Sequence, residues 1–243
     1  MKLLFIRHAD PDYENDALTE KGTREALLLA ERIAKTHIDE YYVSPMGRAQ
    51  LTAKPSLLKK GVSAVTYDWL QEFIPQIMRP DSTERTHICW DWLPQDWMAR
   101  EHFFRYDEWW NDDILEAGKI REHAQYVWDE LDHFLSEHGY ERDKHYYRAV
   151  RPNNDTIAFF CHFGVTALML SHLIGASPMV LWHGMCAAPT SVTTVYTEER
   201  RKGIASFRIA AFGDISHLHA ADEPPAFSAR FCECFDNADE RHD

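Results

Sequence analysis

Short apolar runs alternate with helical stripes at both ends of this 243-residue chain, and few architectures accept that pattern. Leu3-Leu4-Phe5-Ile6 is an unbroken apolar run suited to a strand buried on both faces. Thr19 then caps a helix reaching Lys35, because Ala26, Leu29, Ala30 and Ile33 fall on one side at helical spacing. Tyr41-Tyr42-Val43 gives a second strand, Ser44-Pro45 starts a second helix running to about Leu58, and residues 62–67 give a third strand. The rhythm resumes with a strand at 156–161, a helix at 165–173, and two β-rich runs at 191–196 and 204–211 that can pair as a hairpin. The expected fold is α/β, a three-layer α/β/α sandwich whose mostly parallel sheet has an antiparallel edge.

Residues 73–150 break the rhythm. They hold six of the eight tryptophans, with 9 Lys and Arg against 17 Asp and Glu, so −8 of the net −13 charge lies here. Their one clear stripe is Ile120, Ala124, Val127, Leu131, Phe134 and Leu135. This segment is expected to be a largely helical cap or lid inserted into a single domain. Its aromatics either pack the cap's own core or wall a substrate site. Residues 220–243, acidic and containing Pro224-Pro225, are expected to form an extended or loosely docked tail.

Composition excludes several roles. The net charge of −13 repels nucleic acid and anionic membrane surfaces. No apolar run is long enough for a signal core or a membrane span. Five cysteines, an odd number without regular spacing, read as reduced thiols in a cytoplasm. Cys232 and Cys234 with His217 and His219 match no standard zinc spacing, so no metal is assigned to them.

Ligands in open α/β sheets bind beyond the carboxyl ends of the strands. Arg7-His8 follows the first strand, Arg48 lies in the first turn of the helix after the second, Glu72 follows the third, and His162 follows the strand ending at Cys161. Two guanidinium forks beside imidazoles describe a phosphate pocket, to which amides at the start of the Ser44-Pro45 helix would add. A neutral His8 can attack phosphorus if its other ring nitrogen is held by an acceptor. His162 can donate to the transferring oxygens, and Glu72 can protonate the leaving oxygen and then activate water. Asp68 lies one turn before Glu72, and His183-Gly184 is a second His-Gly pair that follows no convincing strand.

Four motifs in order, Leu4-Phe5-Ile6-Arg7-His8-Ala9, Leu18-Thr19-Glu20-Lys21-Gly22 with Glu25-Ala26, Ser44-Pro45-Met46-Gly47-Arg48-Ala49-Gln50-Leu51-Thr52, and Cys161-His162-Phe163-Gly164, together resemble the histidine phosphatase (phosphoglycerate mutase-like) superfamily. The resemblance implies that His8 becomes phosphorylated, that Arg7, Arg48 and His162 bind the phosphoryl group, that the acid comes from the segment after the third strand, and that no metal or other cofactor is needed. Ala9 stands where the family often has glycine, and Phe163-Gly164 replaces a glycine-rich segment. Mutases of the family carry arginine and tyrosine soon after the acid, where this chain has Phe73-Ile74-Pro75-Gln76. The expected activity is therefore hydrolysis of a small phosphomonoester, with a mutase-type phosphotransferase or an inactive phosphate-binding module as alternatives.

Overall fold

A computed structural model describes residues 1–228 and 230–240. Four parallel strands form one side of its sheet: β1 (Lys2–Arg7), β2 (Glu40–Val43), β3 (Val65–Thr66) and β6 (Thr156–Cys161). Strands β4 (Tyr140–Asp143), β5 (Tyr146–Ala149), β7 (Val192–Arg201) and β8 (Ile204–Asp214) complete an eight-stranded sheet in the order β3-β2-β6-β1-β7-β8-β5-β4. The first three neighbour pairs in that order are parallel, and the rest are antiparallel. The expected antiparallel edge is thus present and is widened by the β4-β5 hairpin.

Alternation along each strand sends side chains to opposite faces. Leu4, Ile6, Ala158, Phe160 and Val43 pack under α1 (Glu20–Ala34) and α2 (Gly47–Lys60). On the other face Leu3, Phe5, Ile157 and Phe159 pack under α3 (Ile120–Glu137), α4 (Phe163–Ile174) and α5 (Pro178–Gly184). Thr19 caps α1 as its position requires, its side chain accepting from the Gly22 amide. The second helix departs from expectation. It begins at Gly47 rather than at Ser44-Pro45, and its N-cap Met46 offers no side-chain hydrogen bond.

The 73–150 segment divides in two. Residues 120–149 belong to the body, because the α3 stripe faces the sheet, where the Phe134 ring lies 4.9 Å from Tyr42 and 5.2 Å from Phe159. Residues 73–119 form only short elements: the strand pair Gln76–Ile77 and His87–Ile88, and the helices Pro94–Met98 and Asp113–Ala117. Trp92, Trp97, Trp109 and Trp128 are buried, while Trp90 and Trp110 are half-buried. Most of the aromatic load is therefore packing.

The tail docks more closely than its composition predicts. Glu223 pairs with Lys21 at 2.9 Å, and the Ala226 amide donates at 3.1 Å to Glu25, a fully buried carboxylate of α1. The other Glu25 oxygen accepts from the Asp10 amide at 3.0 Å, so one side chain joins the tail to the loop after His8. Ala229 and residues 241–243 of the predicted tail lie outside the described residues. Among the described residues no helix is long and apolar enough to cross a membrane.

Candidate active site

Register puts the strand ends level: Arg7 pairs with Cys161, Phe160 with Val43, and Val43 with Thr66. The next residue or loop of each strand therefore leaves the sheet at one edge, and this edge gathers Arg7, His8, Arg48, His162 and Glu72. The His8 and His162 rings are 5.1 Å apart, and both are buried.

His8 is fixed in one state. Its Nδ1 lies 2.8 Å from the Ala9 carbonyl, which can only accept, so Nδ1 carries the hydrogen and Nε2 keeps its lone pair. Burial, with the positive charge of Arg7 and then Arg48, holds its pKa well below the usual histidine value. The backbone is equally restrained, as the His8 amide donates to the Cys161 carbonyl at 2.9 Å. A neutral imidazole with a free Nε2 is a nucleophile.

His162 is also kept neutral, by burial first and then by His8, Arg48 and Arg7. Its Nε2 lies 2.8 Å from Ser44 Oγ. Ser44 therefore turns toward His162 instead of serving as the N-cap of α2, and sequence reasoning missed that role. The Gly47 amide at the start of α2 is likewise not a spare donor for a phosphate, since it donates to Asp16 Oδ2 at 2.5 Å, and the Arg48 amide also bonds this carboxylate.

Asp16 is the second residue that sequence reasoning missed. Its other oxygen accepts from Arg48 Nη1 at 2.6 Å, so one carboxylate orients both the guanidinium and the helix start. A Cβ at position 47 would fall 2.3 Å from the Asp16 carbonyl oxygen, so only glycine lets this loop sit there. Tyr13 lies over both groups, its ring 6.4 Å from His8 and 5.4 Å from the Arg48 guanidinium carbon. On the opposite side Arg7 donates to the Ala187 carbonyl and, at 3.5 Å, to the Ser228 carbonyl of the tail.

Three buried nitrogens of this cluster, Arg7 Nε, Arg48 Nε and His162 Nδ1, have no hydrogen-bond partner in the described chain. Buried polar groups are normally satisfied, so such a convergence points to an anion.

Glu72 is anchored at the start of α4. Its Oε1 accepts from the Phe73 amide at 2.8 Å and the Val165 amide at 3.0 Å, and burial raises its pKa above the usual carboxylate range. Asp68 is exposed near Tyr126 of α3, outside this hydrogen-bonded cluster. His183 bonds to the Met179 carbonyl at 2.6 Å and stacks on Trp97 at 4.9 Å, which makes it a packing residue. Of the arginines in the 73–119 segment, Arg79 is paired with Asp81 and Asp91, Arg100 with Asp112, and Arg105 with Glu108.

Comparison with known proteins gives the family and the fold. The family model of the histidine phosphatase superfamily (branch 1) matches residues 3–210. Phosphoserine phosphatase 1 of Hydrogenobacter thermophilus is 24% identical over 222 residues, covering 86% of this chain and 92% of that protein. A probable phosphatase of Schizosaccharomyces pombe is 23% identical over 239 residues, covering 91% and 97%. Among solved structures, a phosphoserine phosphatase of Entamoeba histolytica (19% identical) superposes with a TM-score of 0.57 over 89% of this chain and 98% of that one. A mycobacterial glucosyl-3-phosphoglycerate phosphatase (13% identical) gives 0.56 over 87% and 98%. At these identities the two superpositions establish the fold, and the family match extends over most of the chain. The chain belongs to the histidine phosphatase superfamily, branch 1.

Proposed function

We propose that this protein, a phosphoric monoester hydrolase by family, cleaves a small phosphomonoester through a phosphohistidine on His8. The observation that carries the reading is the state of His8: neutral, with Nδ1 tied to the Ala9 carbonyl, beside buried and unpartnered nitrogens of Arg7, Arg48 and His162. Those three side chains hold the phosphoryl oxygens. His8 Nε2 attacks phosphorus, forming the N–P bond as the P–O ester bond breaks, and Glu72 gives its proton to the departing oxygen. The Glu72 carboxylate then takes a proton from water as the water oxygen attacks phosphorus. The N–P bond breaks, returning neutral His8 and releasing inorganic phosphate.

Transfer to water rather than to a second substrate is supported by Phe73-Ile74-Pro75-Gln76 after the acid, which offers no arginine or tyrosine for a phosphoglycerate. The 73–119 segment acts as the cap over the leaving-group side. With Arg79, Arg100 and Arg105 paired, three of the four arginines of this segment, and the chain at −13, the substrate is small and modestly charged rather than a polyphosphate or nucleic acid. The names of the relatives, phosphoserine phosphatase and glucosyl-3-phosphoglycerate phosphatase, put phosphoserine and phosphoglycerate esters first in a screen. Among the described residues no cysteine forms a disulfide, which suits a reducing cytoplasm.

The test is hydrolysis of p-nitrophenyl phosphate in EDTA from mildly acidic to neutral pH, comparing the wild type with His8→Ala. Turnover by the wild type alone is expected. Equal turnover by the variant, or dependence on added metal, would overturn the reading.

A further inference from the structure

The structure assigns Trp90 as a positioning residue for the proton donor, coupling the 73–119 segment to the chemistry. The assignment rests on Glu72 being the acid. It starts from Gly164, the second residue of α4 and two places after His162. A Cβ at this position would lie 2.6 Å from Trp90 Nε1 and 2.7 Å from Glu72 Oε1. The indole and the carboxylate are thus pressed onto the same bare Cα, and only glycine leaves room for both.

Hydrogen bonds connect the two groups through residue 73. Trp90 Nε1 donates to the Phe73 carbonyl at 2.6 Å, and the Phe73 amide donates to Glu72 Oε1 at 2.8 Å. Phe73 is therefore held at its carbonyl by the tryptophan while its amide holds the acid. The Phe73 and Val165 amides both donate to Oε1, and the Gly164 amide also bonds this carboxylate, so the acid is held by backbone on both sides. The indole ring stands edge-on to Phe163 at 6.0 Å, the residue following His162. The rings of Trp92, Trp97 and Trp109 are buried in the same segment, whereas Trp90 stays half-buried beside the acid. A small displacement of a proton donor is enough to lose its contribution, and the Trp90 N–H ties residue 73, whose amide holds the acid, to the rest of the 73–119 segment.

The experiment separates positioning from packing by leaving group. Trp90→Phe keeps a ring against Phe163 and removes the N–H. The substrates are p-nitrophenyl phosphate, whose leaving group departs without a proton, and phosphoserine, whose alkoxide needs one. We expect kcat/KM, which reports phosphoryl transfer to His8 and not the later attack of water, to fall about tenfold on phosphoserine while changing less than twofold on p-nitrophenyl phosphate. Glu72→Gln should show the same selectivity more strongly, and the double variant should be no worse than Glu72→Gln alone. Equal losses on both substrates, or no loss on phosphoserine while Glu72→Gln is selective, would overturn the role of Trp90. Absence of selectivity in Glu72→Gln itself would remove Glu72 as the acid, and the Trp90 assignment with it. Should Trp90→Phe fail to fold, benzothienylalanine at position 90 keeps the indole shape with sulfur in place of the N–H and is read in the same way.

Discussion

Asp16→Ala tests the site where the structure adds most to the sequence. The Arg48 side chain is 7% exposed and Asp16 43%, and their contact of 2.6 Å is joined by the 2.5 Å bond from the Gly47 amide to the same carboxylate. A hydrogen bond to a charged group contributes about 1.5–3 kcal/mol. The exposure of Asp16 places both bonds toward the low end, for a total of roughly 2–3 kcal/mol. Without that restraint the guanidinium must be ordered at the expense of transition-state binding, so kcat/KM falls by at most roughly 30- to 150-fold, at about 1.4 kcal/mol per tenfold. The assay is steady-state hydrolysis of an aryl phosphate with inorganic phosphate as competitor. The inhibition constant should rise in step with the loss, and Asp16→Ala should add little to Arg48→Ala. Asp16→Asn, which keeps an oxygen for Gly47, should lose less. If Asp16→Ala folds and retains wild-type kcat/KM while Arg48→Ala does not, Arg48 orients itself and the argument fails.

Three further outcomes are expected. First, His8 and His162 stay neutral in the fold but protonate near pH 6.5 when unfolded. Below that pH the unfolded state binds more protons, so stability falls by up to about 1.4 kcal/mol per pH unit per histidine, and it is insensitive to these groups above it. Denaturant midpoints across pH that stay flat below 6.5 in the wild type, or slope equally after removal of both histidines, would contradict this. The same shifts set kcat/KM, whose acid limb should lie well below 6.5 and whose basic limb, raised above the usual carboxylate range, should vanish in Glu72→Gln. Second, Ser44→Ala frees His162 Nε2 and should lower kcat about tenfold with little change in melting temperature; an unchanged kcat would show that Ser44 does not orient the ring. Third, Asp132 accepts from Tyr147 at 2.8 Å and holds His172 at 2.8 Å and Arg142 at 3.4 Å, so Asp132→Ala should destabilise the fold by about 3 kcal/mol in urea melts, and a loss below about 1 kcal/mol would refute that network.

Strand ends were the most legible part of the sequence, because Arg7-His8 and Cys161-His162 each follow a short apolar run suited to a buried strand. Parallel pairing then brings them together without further information. Ser44 misled because serine before proline is a good local helix start, yet its hydroxyl found a buried imidazole 118 residues away. Asp16 sits in a loop with no periodicity, in a left-handed backbone conformation (φ 47°), and its partners lie 31 and 32 residues on. Glu25 was visible only as part of a motif, since nothing local says that a helical glutamate will be buried by a distant tail. The change in composition at residue 73 persists to 150 and so does not separate the short elements of 73–119 from α3, although the α3 stripe already marks that helix as a core element.

The central claim is a covalent phosphoryl group on His8. Rapid quenching of Glu72→Gln with a labelled p-nitrophenyl phosphate, followed by peptide mapping, tests it directly. In this variant the ester still departs without a proton, while water lacks its base, so the intermediate should accumulate. The account predicts an acid-labile, alkali-stable phosphate on the peptide containing His8, absent from His8→Ala. Label on another residue, or a stoichiometric burst of p-nitrophenol with no label on His8, would contradict it.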